Sequence, residues 1–258
     1  MSYQYVRFER VGATGVVTIA NPPVNALHPD VAADIERAAQ QIAADTTLRS
    51  MILTGQGRCF VAGGDIRYFT EIDRQGAADM ALRVQRMQNV LFDLRVPVIA
   101  AVNGHALGGG LELLLSCDFA LAEEQATIGV TEVRLGLIPG AGGTQMLFSA
   151  LAAGTAKRLL FTGDRLSATE AARLGLVDQV CDRGTAVETA LACAARINAA
   201  GPLAVEAAKR SANHGLRHSL DEGHRREVEI FSALFETADH REGITAFLER
   251  RTPVYERR

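Results

Sequence analysis

Two glutamates in this chain stand beside glycine tracts, and as a pair they could move protons. Glu112 lies in Gly110-Leu-Glu-Leu-Leu-Leu115 and Glu132 in Val130-Thr-Glu-Val-Arg134. Taken singly, Glu112 reads as a carboxylate complementing a helix N-terminus, and Glu132 as an exposed loop residue. Taken together, each next to a glycine-rich turn, they read as a general acid and a general base. The turns supply a second ingredient. Gly104-His-Ala-Leu-Gly-Gly-Gly110 reads as a strand, a tight turn and the start of a helix. Glycine lets a ligand approach the backbone there, and the first N–H groups of a helix have no partner within it. Such donors stabilise an oxyanion that forms during a reaction. Gly57-Arg-Cys-Phe-Val-Ala-Gly-Gly-Asp65 has the same character, so Gly64 and Gly109 could supply one N–H each.

Competing chemistries fail on spacing. A dinucleotide fingerprint would need glycine where Leu113 or Gln145 stands, and no Gly-Lys pair exists for a phosphate loop. G-x-S-x-G and H-E-x-x-H are absent. Cysteines 59, 117, 181 and 193 form no C-x-x-C and read as free thiols of a reducing compartment. His214 and His218 are four apart but lack a paired acid, so they read as packing residues, as His105 does in its turn. The only lysines, Lys157 and Lys209, limit Schiff-base chemistry to two positions. No metal site is expected.

Such a site needs elements to hold it. The chain has 258 residues, 48% hydrophobic and 22% charged, as in a soluble globular protein of one large or two small domains. Its net charge of −3 argues against a dedicated nucleic-acid binder. No apolar run approaches the roughly 18 residues of a membrane span. The N-terminal stretch lacks the pattern of a signal peptide, so a cytoplasmic location is expected.

Residues 6–11 and 15–20 read as a strand pair, and 29–44 as a helix opened by His28-Pro29-Asp30. Buried strands are expected at 50–54, 59–62 and 97–102, the last continuously apolar as in a sheet covered on both faces. A long helix is expected over 72–94, with Met80, Val84, Met87 and Leu91 on one side. Helices at 111–117, 143–152, 155–161 and 186–199 alternate with strands at 118–122, 127–130 and 176–181. This order predicts an α/β fold with a parallel or mixed sheet. Beyond Gly201-Pro202 the character changes: 20 of the last 58 residues are charged, against 37 of the first 200, and strand signals vanish. The expected division is an α/β core over 1–200 and a helical segment over 201–258. The apolar series Ile230, Phe231, Leu234, Phe235, Ile244, Phe247 and Leu248 marks that segment as an assembly element.

The ordered motifs resemble the enoyl-CoA hydratase/isomerase, or crotonase, family over nearly the whole chain. They are Pro22-Pro-Val-Asn-Ala-Leu27, Ala62-Gly-Gly-Asp-Ile66, Ala101-Val-Asn-Gly-His-Ala-Leu-Gly-Gly-Gly-Leu-Glu112 and Thr131-Glu-Val-Arg-Leu-Gly-Leu-Ile-Pro-Gly-Ala-Gly-Gly-Thr-Gln145. The resemblance implies a spiral of β-β-α units with a C-terminal helical part, assembled as a homotrimer or homohexamer. It also implies an acyl-CoA thioester substrate, with no metal and no separate cofactor, since CoA belongs to the substrate. Gly64 and Gly109 match the donors to the thioester oxygen, and Glu112 and Glu132 the two catalytic carboxylates. Val24, Ala62, Asp65, Ile66 and Arg67, with Gly64 and Gly109, match the substrate-binding positions.

Three positions depart from the family pattern: Thr131 where proline is common, Pro22-Pro23 where a basic residue is common, and Arg67 in place of lysine. Retention of both glutamates favours reversible hydration of a trans-2-enoyl-CoA to a 3-hydroxyacyl-CoA. The alternatives are a Δ3-Δ2-enoyl-CoA isomerase or another acyl-CoA lyase or isomerase of the family. The RNA-binding branch of the family uses a basic helix. Here the matching stretch has Asp30, Asp34, Glu36 and Asp45 against Arg37 alone, which repels phosphate. The acyl-pocket walls are expected from the long helix after Ile66 and from the C-terminal segment.

Overall fold

The computed structural model describes residues 3–258. Strands β1 (Val6–Val11) and β2 (Thr14–Ile19) form an antiparallel hairpin. Helix α1 (Pro29–Ala44) follows; His28 caps it by accepting from the Asp30 N–H, with proline in the first turn. Then β-β-α units repeat. The first holds β3 (Ser50–Gly55), β4 (Cys59–Val61), α2 (Ile66–Glu71) and α3 (Arg74–Phe92). The second holds β5 (Val98–Val102), β6 (His105–Leu107) and α4 (Gly109–Leu115). The third holds β7 (Phe119–Glu123), β8 (Thr127–Gly129), a 3-10 turn (Glu132–Leu135), α5 (Gly143–Ala150) and α6 (Ala153–Thr162).

Within each unit the first strand joins one sheet and the second joins another. The larger sheet runs β1-β2-β3-β5-β7-β10, with β10 at Gln179–Cys181; the smaller runs β4-β6-β8-β9, with β9 at Leu166–Ser167. Parallel pairing carries β3, β5 and β7 side by side, Met51 beside Val98 and Ile99 beside Phe119. Strand β3 is buried throughout. Met51 and Leu53 face the main core, while Ile52 joins Val16, Ile99 and Leu121 beneath the alanine face of α8 (Ala186–Asn198). This two-sided burial is why 50–54 and 97–102 read as unbroken apolar runs.

Three features differ from the sequence reading. The helix expected over 72–94 is α3, which starts at Arg74 because Ile72 is extended and Asp73 caps it by accepting from the Gly76 N–H; the short helix α2 before it was not expected. Strand β9 and helix α7 (Ala168–Leu174) were not expected, since a strand of two residues carries no readable period, while β6 stands where a strand was read before the glycine turn. The strand expected over 176–181 is confined to its last three residues.

The chain beyond Gly201 is helical: α9 (Pro202–Arg217), α10 (Leu220–Leu234) and α11 (Ala238–Glu249). Lys209 ties α9 to the core. Its Nζ donates to the carbonyls of Leu91 and Val96, at 3.2 and 3.0 Å, and to Asp118 Oδ2 at 2.7 Å. One of the two lysines is thus a buried strut. His214 and His218 stack at 3.8 Å on the α9 side, and among the described residues no group of three or more His, Cys, Asp or Glu is placed to hold a metal. All four cysteines are free thiols. No described helix is long and apolar enough to cross a membrane.

Candidate active site

The turn between β6 and α4 sets the site. Gly108 adopts φ 51° and ψ −121°, a conformation that favours glycine, and turns the chain from strand into helix. Its N–H donates to the Gly129 carbonyl at 2.8 Å, fixing the turn against the end of β8. Gly109, the first helical residue, then carries an N–H with no acceptor among the described residues.

A second free N–H comes from the segment after β4. Leu27 and Gly64 form a parallel bridge in which Leu27 bonds to the residues flanking Gly64: its N–H to the Gly63 carbonyl at 2.8 Å, its carbonyl to the Asp65 N–H at 3.2 Å. The Gly64 N–H therefore points away from Leu27. The two glycines are 45 positions apart in sequence, yet a methyl group built on Gly109 would lie 3.8 Å from the Gly64 nitrogen. A side chain at Gly64 would run into Phe69 at 2.5 Å.

Both glutamates reach this turn. Glu112, on α4, is 3% exposed, and its Oε1 accepts from the N–H groups of Ala141 and Gly143, each at 2.8 Å. Gly143 opens α5, so Glu112 also satisfies an orphan donor at that helix N-terminus. The fit requires glycine: a Cβ at Gly143 would stand 3.0 Å from Glu112 Oε1 and 2.9 Å from Pro139. Burial pushes the Glu112 carboxyl above its ordinary range, and the two N–H bonds partly offset this.

Glu132 begins the 3-10 turn and is partly buried, where the sequence alone gave an exposed loop residue. Its Oε2 is sealed from solvent and has no hydrogen-bond partner. Its carboxylate rests on Gly108, whose missing Cβ would fall 2.9 Å from Oε1. Burial raises Glu132 to about 7; its own backbone N–H lowers it and the Glu112 charge raises it. One carboxyl is clamped by two backbone donors, and the other has an oxygen without a partner and is raised to about 7. Such a pair suits acid–base chemistry next to two N–H groups able to hold an oxyanion.

The substrate-binding positions expected from sequence surround the Gly64 segment. The Ala62 N–H donates to the Val24 carbonyl at 3.1 Å, so Val24 lies beside that strand end. Asp65 caps α2, accepting from the Arg67 and Tyr68 N–H groups at 3.0 and 3.3 Å. Ile66 and Arg67 are exposed on the first turn of α2. Sequence reasoning missed the role of Ala141 and Gly143. The signal was the second glycine tract, which fails as a dinucleotide fingerprint at Gln145 and entered otherwise only as a family motif.

The fold stacks β-β-α units and places two carboxylates beside two free amide donors, an arrangement able to support acid–base chemistry. The model of the enoyl-CoA hydratase/isomerase family matches residues 9–258, and the chain belongs to that family. It is 38% identical over 253 residues to a crotonyl-CoA hydratase of Syntrophomonas wolfei, covering 97% of each chain. It is equally similar, 38% with 97% of each covered, to a short-chain-enoyl-CoA hydratase of Clostridium acetobutylicum. The crystal structure of an enoyl-CoA hydratase from Bacillus anthracis superposes with a TM-score of 0.95 at 35% identity, covering 99% of this chain and all of the other.

Proposed function

We propose that this chain is an enoyl-CoA hydratase that adds water reversibly across the double bond of a trans-2-enoyl-CoA. The observation that carries the reading is the contrast between the two carboxylates: Glu112 held by two N–H donors, Glu132 with its Oε2 sealed and without a partner and raised to about 7. The thioester oxygen accepts from the Gly64 and Gly109 N–H groups, which draws electron density from the alkene and makes the β-carbon electrophilic. Glu112 takes a proton from water as its oxygen attacks that carbon. Glu132 delivers its proton to the α-carbon as the enolate collapses. One donor of this kind is worth about 3–4 kcal/mol of transition-state stabilisation. Val24, Ala62, Asp65, Ile66 and Arg67 line the approach of the CoA moiety. No separate cofactor enters these steps.

The further parts of the proposal concern assembly and setting. Residues 1–200 form the catalytic core and 201–258 the assembly segment. Phe231, Phe235, Ile244, Phe247 and Leu248 are exposed on α10 and α11, with Phe247 81% accessible. A surface this apolar supports a homotrimer or homohexamer, as closed symmetry would bury it. A role in β-oxidation of fatty acids in the cytoplasm fits the same reading.

The test is a spectrophotometric assay of the purified protein against trans-2-enoyl-CoAs of several lengths, following loss of thioester conjugation. A 3-enoyl-CoA supplied in parallel separates hydration from double-bond shift. Conjugated substrates left unhydrated would overturn the proposal.

A further inference from the structure

Gly64 and Gly109 carry the two free N–H groups of the candidate site, and an apolar side chain stands over each of them. Buried Leu27 stands over Gly109, its Cδ2 3.2 Å from where a Cβ would lie. Phe69 stands closer over Gly64. The tip of its ring, Cζ, falls 2.5 Å from a Cβ built there, with Cε1 and Cε2 at 3.3 and 3.4 Å. A Cβ stands about 2.5 Å from its own backbone nitrogen, so the ring tip is within about 5 Å of the Gly64 nitrogen.

Local structure fixes the ring there. Asp65 caps α2, and the Phe69 N–H donates to the Asp65 carbonyl at 3.1 Å, closing the first turn. Tyr68 sets its ring edge-on to His28, 4.6 Å between centroids. Residues two apart on a helix are separated by about 200°, so Arg67 and Phe69 leave α2 on opposite sides. Arg67 is exposed, while Phe69 is half-buried against Gly64. No residue of α2 is buried, and Phe69 packs against neither hydrophobic cluster of the core. Its place over Gly64 therefore serves the site and not the core.

We propose that Phe69 is a specificity wall beside the thioester carbonyl, selecting acyl groups with no branch on the second carbon. This rests on the acyl-CoA reading of the site. An oxygen held by the Gly64 N–H lies about 2.9 Å from the nitrogen, and its carbon about 1.2 Å beyond. A ring tip this near the nitrogen is a neighbour of that carbon's substituents, which are sulfur and the second carbon. With the CoA arm on the exposed Arg67 side of α2, the second carbon takes the Phe69 side. A hydrogen there fits beside the ring, and a methyl group presses into it.

The experiment compares trans-but-2-enoyl-CoA with its 2-methyl analogue in the wild type, Phe69→Ala and Phe69→Leu. The methyl group also changes the reactivity of the alkene, so the readout is the change in the kcat/KM ratio between proteins. The ratio of unbranched to branched substrate should fall roughly 10–200-fold in Phe69→Ala, the range one methyl group commands in a tight pocket. It should fall less in Phe69→Leu, which refills part of the space. Equal ratios in the wild type and Phe69→Ala would overturn the proposal. Calorimetric binding of butanoyl-CoA and 2-methylbutanoyl-CoA gives a readout free of hydration and decides the matter where neither enoyl substrate is hydrated. In that case a wild-type preference for butanoyl-CoA that Phe69→Ala loses would sink the hydratase reading and leave the Phe69 inference standing. Equal or absent binding of the two by the wild type would sink both.

Discussion

Replacing Glu132 by glutamine removes one ionisation and keeps the shape of the side chain. Its consequences for stability and for rate can both be worked out. Folding raises this carboxyl from an ordinary 4.5 to about 7, chiefly by burial. The protonated form is therefore the one the fold favours. That contribution is fully present below the unfolded value and is lost as pH climbs through about 7. At about 1.4 kcal/mol per pH unit the full linkage is roughly 3 kcal/mol. Solvent reaches part of the residue, which brings the expected figure to about 2 kcal/mol. Urea denaturation at pH 5 and pH 8.5 should thus show the wild type losing about 2 kcal/mol more than Glu132→Gln over that interval. Glutamine cannot transfer the proton, so hydration should fall roughly 10²–10⁴-fold. The wild-type hydration rate should itself decline above pH 7 as the acid is titrated. Parallel stability profiles for the two proteins would refute the buried-carboxyl argument. Near wild-type turnover in the variant would refute the proton-donor role.

Glu112→Gln should likewise reduce hydration by roughly 10²–10⁴-fold with acyl-CoA binding retained, as checked by calorimetry. Gly109→Pro removes a free N–H at the first helical position, where proline is tolerated, and should cut kcat by about 10²–10³-fold with the circular dichroism spectrum unchanged. Lys209→Met removes the cation beside Asp118, whose Oδ2 keeps the Val98 N–H, and one donor each from the Leu91 and Val96 carbonyls; loss of about 3 kcal/mol in a denaturation curve is expected. Light scattering should give a mass of three or six protomers, each 27.6 kDa, and Phe247→Asp should shift it toward one. A wild-type mass of a single protomer would end the assembly proposal.

Much of the fold was legible because local physics fixed it. His28, Pro29 and Asp30 open α1 with a cap and a preset φ, and the helix begins where that signal stands. Strands β3 and β5 read as apolar runs because both faces are covered. The ordered glycine and glutamate motifs, each tied to its neighbours by a turn, pointed to the family before any coordinate did. Where two elements meet without a period to announce them, the reading failed. Asp73 is an ordinary helix cap, yet nothing local weighs it against the apolar spacing of 72–94, and only the extended Ile72 before it sets the start of α3 and parts it from α2.

The site itself divides along the same line. The residue types, two carboxylates and two backbone donors beside glycines, belong to the sequence. Their states do not. Gly64 and Gly109 converge only because the smaller sheet pairs β4 with β6, so that the segments after the two strands lie side by side. The clamp on Glu112 comes from residues 29 and 31 positions further along the chain. Glu132 is near neutrality because the fold seals one of its oxygens against a turn that has no side chain. Phe69 is one aromatic residue of a short helix in the sequence and a wall over Gly64 only in the packed molecule. Burial and desolvation are set by atoms distant in sequence, so a carboxyl's pKa and an amide's missing partner exist only once the tertiary structure has excluded water.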